Sequence, residues 1–171
     1  MSELRTNRIV PRDGLPSGSA GGIIQVRSTT KTDAFNMPSN DTNFHTVTGL
    51  SVTITPTRSD SKILVMYDMN WVPINGHASC RLMRDSTPIK IGDASGIKTQ
   101  VTGQVYFTTG DQYDLENLSG TFLDSPATTS AVTYKIKGLN MEGSTTLYIN
   151  RRGSNDTYSL TSFLTVMEVT G

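Results

Sequence analysis

The sequence predicts an all-β protein: a single antiparallel β-sandwich, jelly-roll-like, that carries an extended N-terminal arm. Three observations lead there. Apolar and polar residues alternate with period two over much of the chain. Clusters of Gly, Asn, Asp and Ser recur between the alternating runs, where tight turns need them. No stretch of helical length repeats its apolar residues every 3.6 positions.

Residues 1–22 differ from the rest. Arg5, Arg8 and Arg12 are spaced around Leu4, Ile9, Val10 and Pro11, and Pro16 with Ser17-Gly-Ser-Ala-Gly-Gly22 then breaks regular structure. Such a segment cannot build its own core. It reads as an attachment arm and linker, able to reach about 65 Å if fully extended. Its candidate docking residues are Leu4, Arg5, Arg8, Ile9, Val10, Pro11 and Arg12. Residues 23–171 form the expected head domain.

Within the head, Ile24, Val26 and Ser28 alternate with Gln25 and Arg27. The run 47–55 sets Leu50, Val52 and Ile54 on one face and Ser51, Thr53 and Thr55 on the other, the pattern of a half-buried antiparallel strand. Lys62–Trp71 is more continuously apolar and reads as a central strand, with Ile63 and Val65 inward. Further strands are expected over 79–84, 88–91, 98–108, 120–123, 131–139, 145–150 and 159–169. Asn75-Gly76 has the residues of a two-residue hairpin turn. Eight core strands plus an N-terminal extra fit a jelly roll. An immunoglobulin-like sandwich is disfavoured by the lack of a Cys…Trp…Cys frame.

Composition narrows the function. The 171 residues hold 15 Lys+Arg against 15 Asp+Glu, so the formal net charge is zero. A general nucleic-acid binder, which needs excess cations for phosphates, is not expected. No apolar run nears the roughly 20 residues that span a membrane, and Met1-Ser-Glu-Leu-Arg-Thr-Asn-Arg has no apolar core of the kind a secretory signal carries, so a secretory signal is not expected. Cys80 is the single cysteine, so no internal disulfide can staple the domain, and burial between subunits is the expected alternative. Ser and Thr make up about a quarter of the residues, and strand faces such as Thr53/Thr55 and Thr161/Thr165 could hydrogen-bond across a subunit contact.

Chemistry is sparse. His45, His77 and Cys80 lack partners at zinc spacing, and Asp111, Asp114 and Glu116 lack the calcium-loop pattern, so neither a metal nor a cofactor is expected. No nucleophile elbow, phosphate loop or dinucleotide fingerprint occurs, and no catalytic residue is assigned. Trp71, Tyr106 and Tyr113 are the candidate sugar-stacking residues at predicted strand ends; the competing reading of Trp71 and of Phe107 is core packing. Met66, Met69 and Met83 read as packing residues.

The block Leu4-Arg-Thr-Asn-Arg-Ile-Val-Pro-Arg-Asp-Gly-Leu-Pro-Ser-Gly-Ser-Ala-Gly-Gly-Ile-Ile-Gln-Val26 resembles a segment of virion fibre and decoration proteins of marine tailed phages, especially cyanophages. Thr48-Gly-Leu-Ser-Val-Thr-Ile-Thr-Pro-Thr-Arg-Ser-Asp-Ser-Lys-Ile-Leu-Val65 is similar to that family's next element. Arg81-Leu-Met-Arg-Asp-Ser-Thr-Pro-Ile89, Leu147-Tyr-Ile-Asn-Arg151 and Leu164-Thr-Val-Met-Glu-Val169 follow in the same order. The resemblance implies a homotrimeric, non-enzymatic β head fixed to capsid or tail proteins by its arm. Such a protein is made in the host cytoplasm and resides in the virion, with weak contacts to host-surface glycans. Met1 lies three residues before the Leu4 block, so a short fibre or knob is expected rather than a long shaft. The alternative expectation is a free-standing carbohydrate-binding module.

Overall fold

The computed structural model describes residues 22–38, 42–72, 76–107 (backbone only at Phe107), 115–141, 146–152 and 158–170. The arm residues Leu4, Arg5, Arg8, Ile9, Val10, Pro11 and Arg12 lie outside them, as does Tyr113.

Eleven strands succeed one another: β1 (Ile23–Lys31), β2 (Phe35–Met37), β3 (His45–Ile54), β4 (Lys62–Val72), β5 (Gly76–Arg84), β6 (Thr87–Ile89), β7 (Gly103–Phe107), β8 (Glu116–Asp124), β9 (Val132–Asn140), β10 (Leu147–Ile149) and β11 (Ser162–Val169). All pairings are antiparallel and fall into two sheets. The first runs β1-β11-β4-β10-β2, with β8 on the opposite edge of β4. The second runs β3-β9-β5-β6, with β7 pairing the earlier half of β5. The chain is a β-sandwich, as its alternation predicts.

Residue parity sets the core. Along β4, Ile63, Val65, Tyr67, Met69 and Trp71 all point inward and are buried. Opposite them lie Leu50, Val52 and Ile54 of β3, Tyr134 and Ile136 of β9, and Ala78, Cys80 and Leu82 of β5, in one apolar cluster. Each large side chain removed from water stabilises the fold by about 1.5–3 kcal/mol. The facing polar positions pair as well: Thr53 and Thr133 hydroxyls meet at 2.8 Å, and so do those of Ser28 and Thr165.

Buried polar groups fasten the two sheets at their margins. Asp124 ends β8, and its carboxylate accepts from Arg84 Nη1 of β5 at 2.9 and 3.0 Å and from the Tyr134 hydroxyl of β9 at 2.7 Å. Burial first, and then this bond to a carboxylate, push the Tyr134 hydroxyl pKa upward. At another margin Glu168 of β11 is fully buried and accepts from Gln25 Nε2 of β1 at 2.6 Å. It also accepts from the Thr57 backbone N–H and hydroxyl, at 2.7 and 2.8 Å, on the connection leaving β3. Burial alone would raise its pKa, but hydrogen bonds from Gln25 and Thr57 hold it below the usual carboxylate range.

Two expectations need correction. Asn75-Gly76 joins no hairpin, because β4 and β5 belong to different sheets; Asn75 itself lies outside the described residues. The tight hairpin is instead β5–β6, turning through Asp85 at φ 52°. The strand expected over 98–108 begins only at Gly103. Residues before it run irregularly along β5, where Thr102 Oγ1 accepts from the Leu82 N–H at 2.8 Å and the Thr102 N–H donates to Cys80 O, also at 2.8 Å.

Candidate functional site

The antiparallel register of β5 and β7 sets His77 opposite Tyr106 and Ser79 opposite Gln104. Directly opposed residues share a face, so His77, Tyr106 and Gln104 converge outside the second sheet. The His77 and Tyr106 rings sit 4.3 Å apart, centroid to centroid, tilted by 32°. Gln104 Nε2 hydrogen-bonds His77 Nδ1 and holds the imidazole in place. With Lys98, Thr99 and Met141, His77 and Gln104 border an open cleft of about 470 Å³, and Tyr106 stands beside it against the His77 ring. The Met141 N–H donates to His77 O at 3.3 Å, tying the far wall to β5.

Tyr106 is 56% exposed. Its ring offers an apolar platform flanked by an amide, an imidazole and an ammonium group, the ingredients for stacking and hydrogen-bonding a sugar ring. Among the described residues that line the cleft there is no Asp or Glu. Cys80, three residues after His77 on β5, faces the core, and burial pushes its thiol up to about 12, far from a reactive thiolate. A second cleft of similar volume, about 470 Å³, is lined by Leu115, Arg152, Tyr158, Ser159 and Leu160. Its one cation is already engaged, the Arg152 guanidinium lying 5.4 Å from the Tyr158 ring centre. Among the described residues no group of three His, Cys, Asp or Glu side chains is placed to hold a metal ion.

Of the three candidate stacking residues, Tyr106 alone reaches the surface among the described residues. Trp71 does not: it is 0% exposed. The reason is parity, since Trp71 shares the inward register of Ile63, Val65, Tyr67 and Met69. Its assignment as a glycan contact is therefore withdrawn in favour of core packing. Met69 and Met83 are buried too, as packing residues should be, whereas Met66 points outward from β4. His77, Gln104 and Lys98 were not singled out as ligand-contacting residues from sequence. Only the β5–β7 register brings the first two beside Tyr106.

The outer face of the first sheet is different in kind. Register places Val26 of β1, Met167 of β11, Leu64 of β4 and Leu123 of β8 directly side by side. This row crosses four strands, about 14 Å at the usual strand spacing. Val26 is 46% and Leu123 53% exposed, and Ile23 and Phe163 add apolar surface above and below. The adjacent row, Ser28–Thr165–Met66–Thr121, carries no charge either.

Together these features define a β-sandwich with an apolar row on one outer face, bounded by Lys62 and Asp68 on β4, and an open cleft beside Tyr106 on the opposite face. No family model matches the chain, and no curated protein matches it.

Proposed function

We propose that the chain is a structural protein of a tailed-phage virion, a short homotrimeric fibre or decoration protein. Residues 1–22 anchor it to capsid or tail proteins, and its head makes weak contacts with host-surface glycans. The sequence blocks that resemble phage fibre proteins suggest this class. The observation that carries the assembly part is the Val26–Met167–Leu64–Leu123 row on the outer face of the first sheet. A row of exposed apolar side chains flanked by hydroxyls suits a contact with a second copy of the same chain. The strand order supports a jelly roll: among the eight principal strands, one sheet reads first, eighth, third and sixth, the other second, seventh, fourth and fifth. Three heads on one axis would turn the exposed Tyr106 and the shallow cleft beside it, weak by themselves, into a useful multivalent contact.

The solution mass of the full-length chain tests this reading. Light scattering is expected to give three times the 18.6 kDa of one chain. Leu123→Asp, at an exposed position of the row, is expected to release folded single chains because a charge there cannot be buried unpaired. A wild-type mass near 18.6 kDa overturns the trimer. The exposed Tyr106 ring and the cleft beside it would then favour the second reading, a free-standing carbohydrate-binding module.

A further inference from the structure

The formal net charge of zero conceals a division between the two sheets. The strands of the first sheet mix signs: Arg27, Lys31 and Lys62 against Asp68, Glu116, Asp124 and Glu168. The strands of the second, β3, β5, β6, β7 and β9, contain no acidic residue at all. They contain Arg81, Arg84, Lys135 and Lys137. Arg84 is consumed by Asp124. The other three point outward.

Their arrangement is specific. Lys135 and Lys137 are two apart on β9, so their side chains leave the same face about 7 Å apart. Lys137 lies directly opposite Arg81 of β5. Like charges directly across an antiparallel pair destabilise a sheet, so folding alone gives no reason for this pairing. Neither lysine makes an ion pair among the described residues. Hydroxyl side chains flank them in register, with Thr46 beside Lys137 and Ser51 beside Lys135. Farther along the outward register of β5, past the covered Ser79, His77 stands between Tyr106 and the cleft that Lys98 borders. Asp85 bounds its far end, its carboxylate accepting the Thr133 N–H at 2.8 Å.

We propose that this outer face binds a sulfated polysaccharide, the chain lying across Lys135 and Lys137 with one sugar against Tyr106. The inference deepens the glycan contact proposed above and rests on it. Charge complementarity calls for a polyanion. Sulfate, rather than carboxylate, follows from which cations are available. The Arg81 guanidinium stacks 4.0 Å from the centre of the Phe44 ring, and its Nε donates to Gln100 O at 2.8 Å. Its planar fork is thus not presented for the bidentate grip that carboxylates favour. What remains are lysine point charges and hydroxyl donors, which suit the non-planar oxygens of a sulfate ester. A single-stranded nucleic acid fits less well. Such sites stack successive bases on several aromatic side chains, and Tyr106 is the one exposed aromatic on the strands of this sheet whose side chain is described.

Binding of the full chain to dextran sulfate, polygalacturonate, uncharged dextran and oligo-dT, measured side by side at two salt concentrations, tests the proposal. Dextran sulfate is expected to bind best, with affinity falling as salt rises. The K135Q/K137Q double variant should lose about tenfold or more of that affinity. R27Q, which removes an exposed cation from the first sheet, should lose none. Unchanged melting of each variant establishes that the head is intact, and Tyr106→Ala gives an independent loss on the same face. Equal binding of dextran and dextran sulfate, tightest binding by oligo-dT or polygalacturonate, or equal losses in R27Q and K135Q/K137Q would each overturn it. The solution mass plays no part in these readouts, so a monomeric chain that binds dextran sulfate through Lys135 and Lys137 refutes the trimer and leaves this inference standing.

Discussion

The two outer faces of the sandwich are built on the same alternating strands and the same core, yet they present opposite chemistry. On one, β1, β11, β4 and β8 align Val26, Met167, Leu64 and Leu123 into an apolar row. On the other, β9 and β5 align Lys135, Lys137 and Arg81 with no acid on any strand of the sheet. An outward position on a strand has to be tolerable in water, but nothing in the core fixes what it is. The difference therefore belongs to surface use rather than to folding. One face suits self-association and the other a soluble polyanion. Changes in the shared interior should disturb both faces together, while changes at either surface should disturb one.

The largest interior effect is expected at the Arg84–Asp124–Tyr134 clasp, which links β8 of one sheet to β5 and β9 of the other. The side chain of Asp124 is 7% exposed and that of Arg84 27%. Asp124→Ala leaves a largely buried guanidinium and a buried phenol without their acceptor. Breaking a buried pair in this way costs about 3–5 kcal/mol. Urea unfolding should show a midpoint lowered accordingly, with association and polyanion binding lost at the same denaturant concentration. Separate loss of the two would mean that the faces ride on independently stable sheets.

Glu168 comes next and is sensitive to pH. Its pKa is depressed in the folded protein, so its stabilising contribution is in place above the ordinary glutamate value of 4.5. That contribution is lost as pH falls through the lower folded-state value. Glu168→Gln removes the charged acceptor from Gln25 and Thr57 and should cost about 1.5–3 kcal/mol at neutral pH. The gap between wild type and variant should close as the pH drops below 4.5. A gap that stays constant down to acid unfolding would mean that Glu168 is already protonated when buried.

Much of this fold was legible in the sequence, because period-two alternation directly reports which side of a strand meets the core. Leu50, Val52 and Ile54 were placed inward on that ground, and all are buried. The same rule applied along β4 would have buried Trp71; the side chain's suitability for stacking pulled the reading the other way. β2 was missed because Phe35–Met37 is too short to show a period. The Asn75-Gly76 signal misled because turn residues say that the chain bends, not whether the flanking strands pair. The site was far less legible. His77, Gln104 and Tyr106 come together through the register of β5 and β7, and the acid-free sheet emerges only once strands are assigned to sheets. Neither property is local in sequence.

The smallest effect is the sharpest probe of the cationic face. Ser79 lies on β5 between His77 and Arg81, 1% exposed, and its hydroxyl has no hydrogen-bond partner among the described residues. A buried hydroxyl that makes no bond costs its desolvation and contributes little. Ser79→Ala removes one oxygen without enlarging the side chain, so the fold should be unchanged or gain up to about 1 kcal/mol. Thermal melting at fixed protein concentration measures it. Because Ala keeps the backbone of β5 in register, Gln104 should still reach His77 and dextran sulfate binding should stay at the wild-type level. Destabilisation by more than about 1 kcal/mol would instead give the hydroxyl a structural partner. A selective loss of polyanion binding with normal melting would make Ser79 part of the binding face, and would move the contact from the Lys135–Lys137 track toward the His77 cleft.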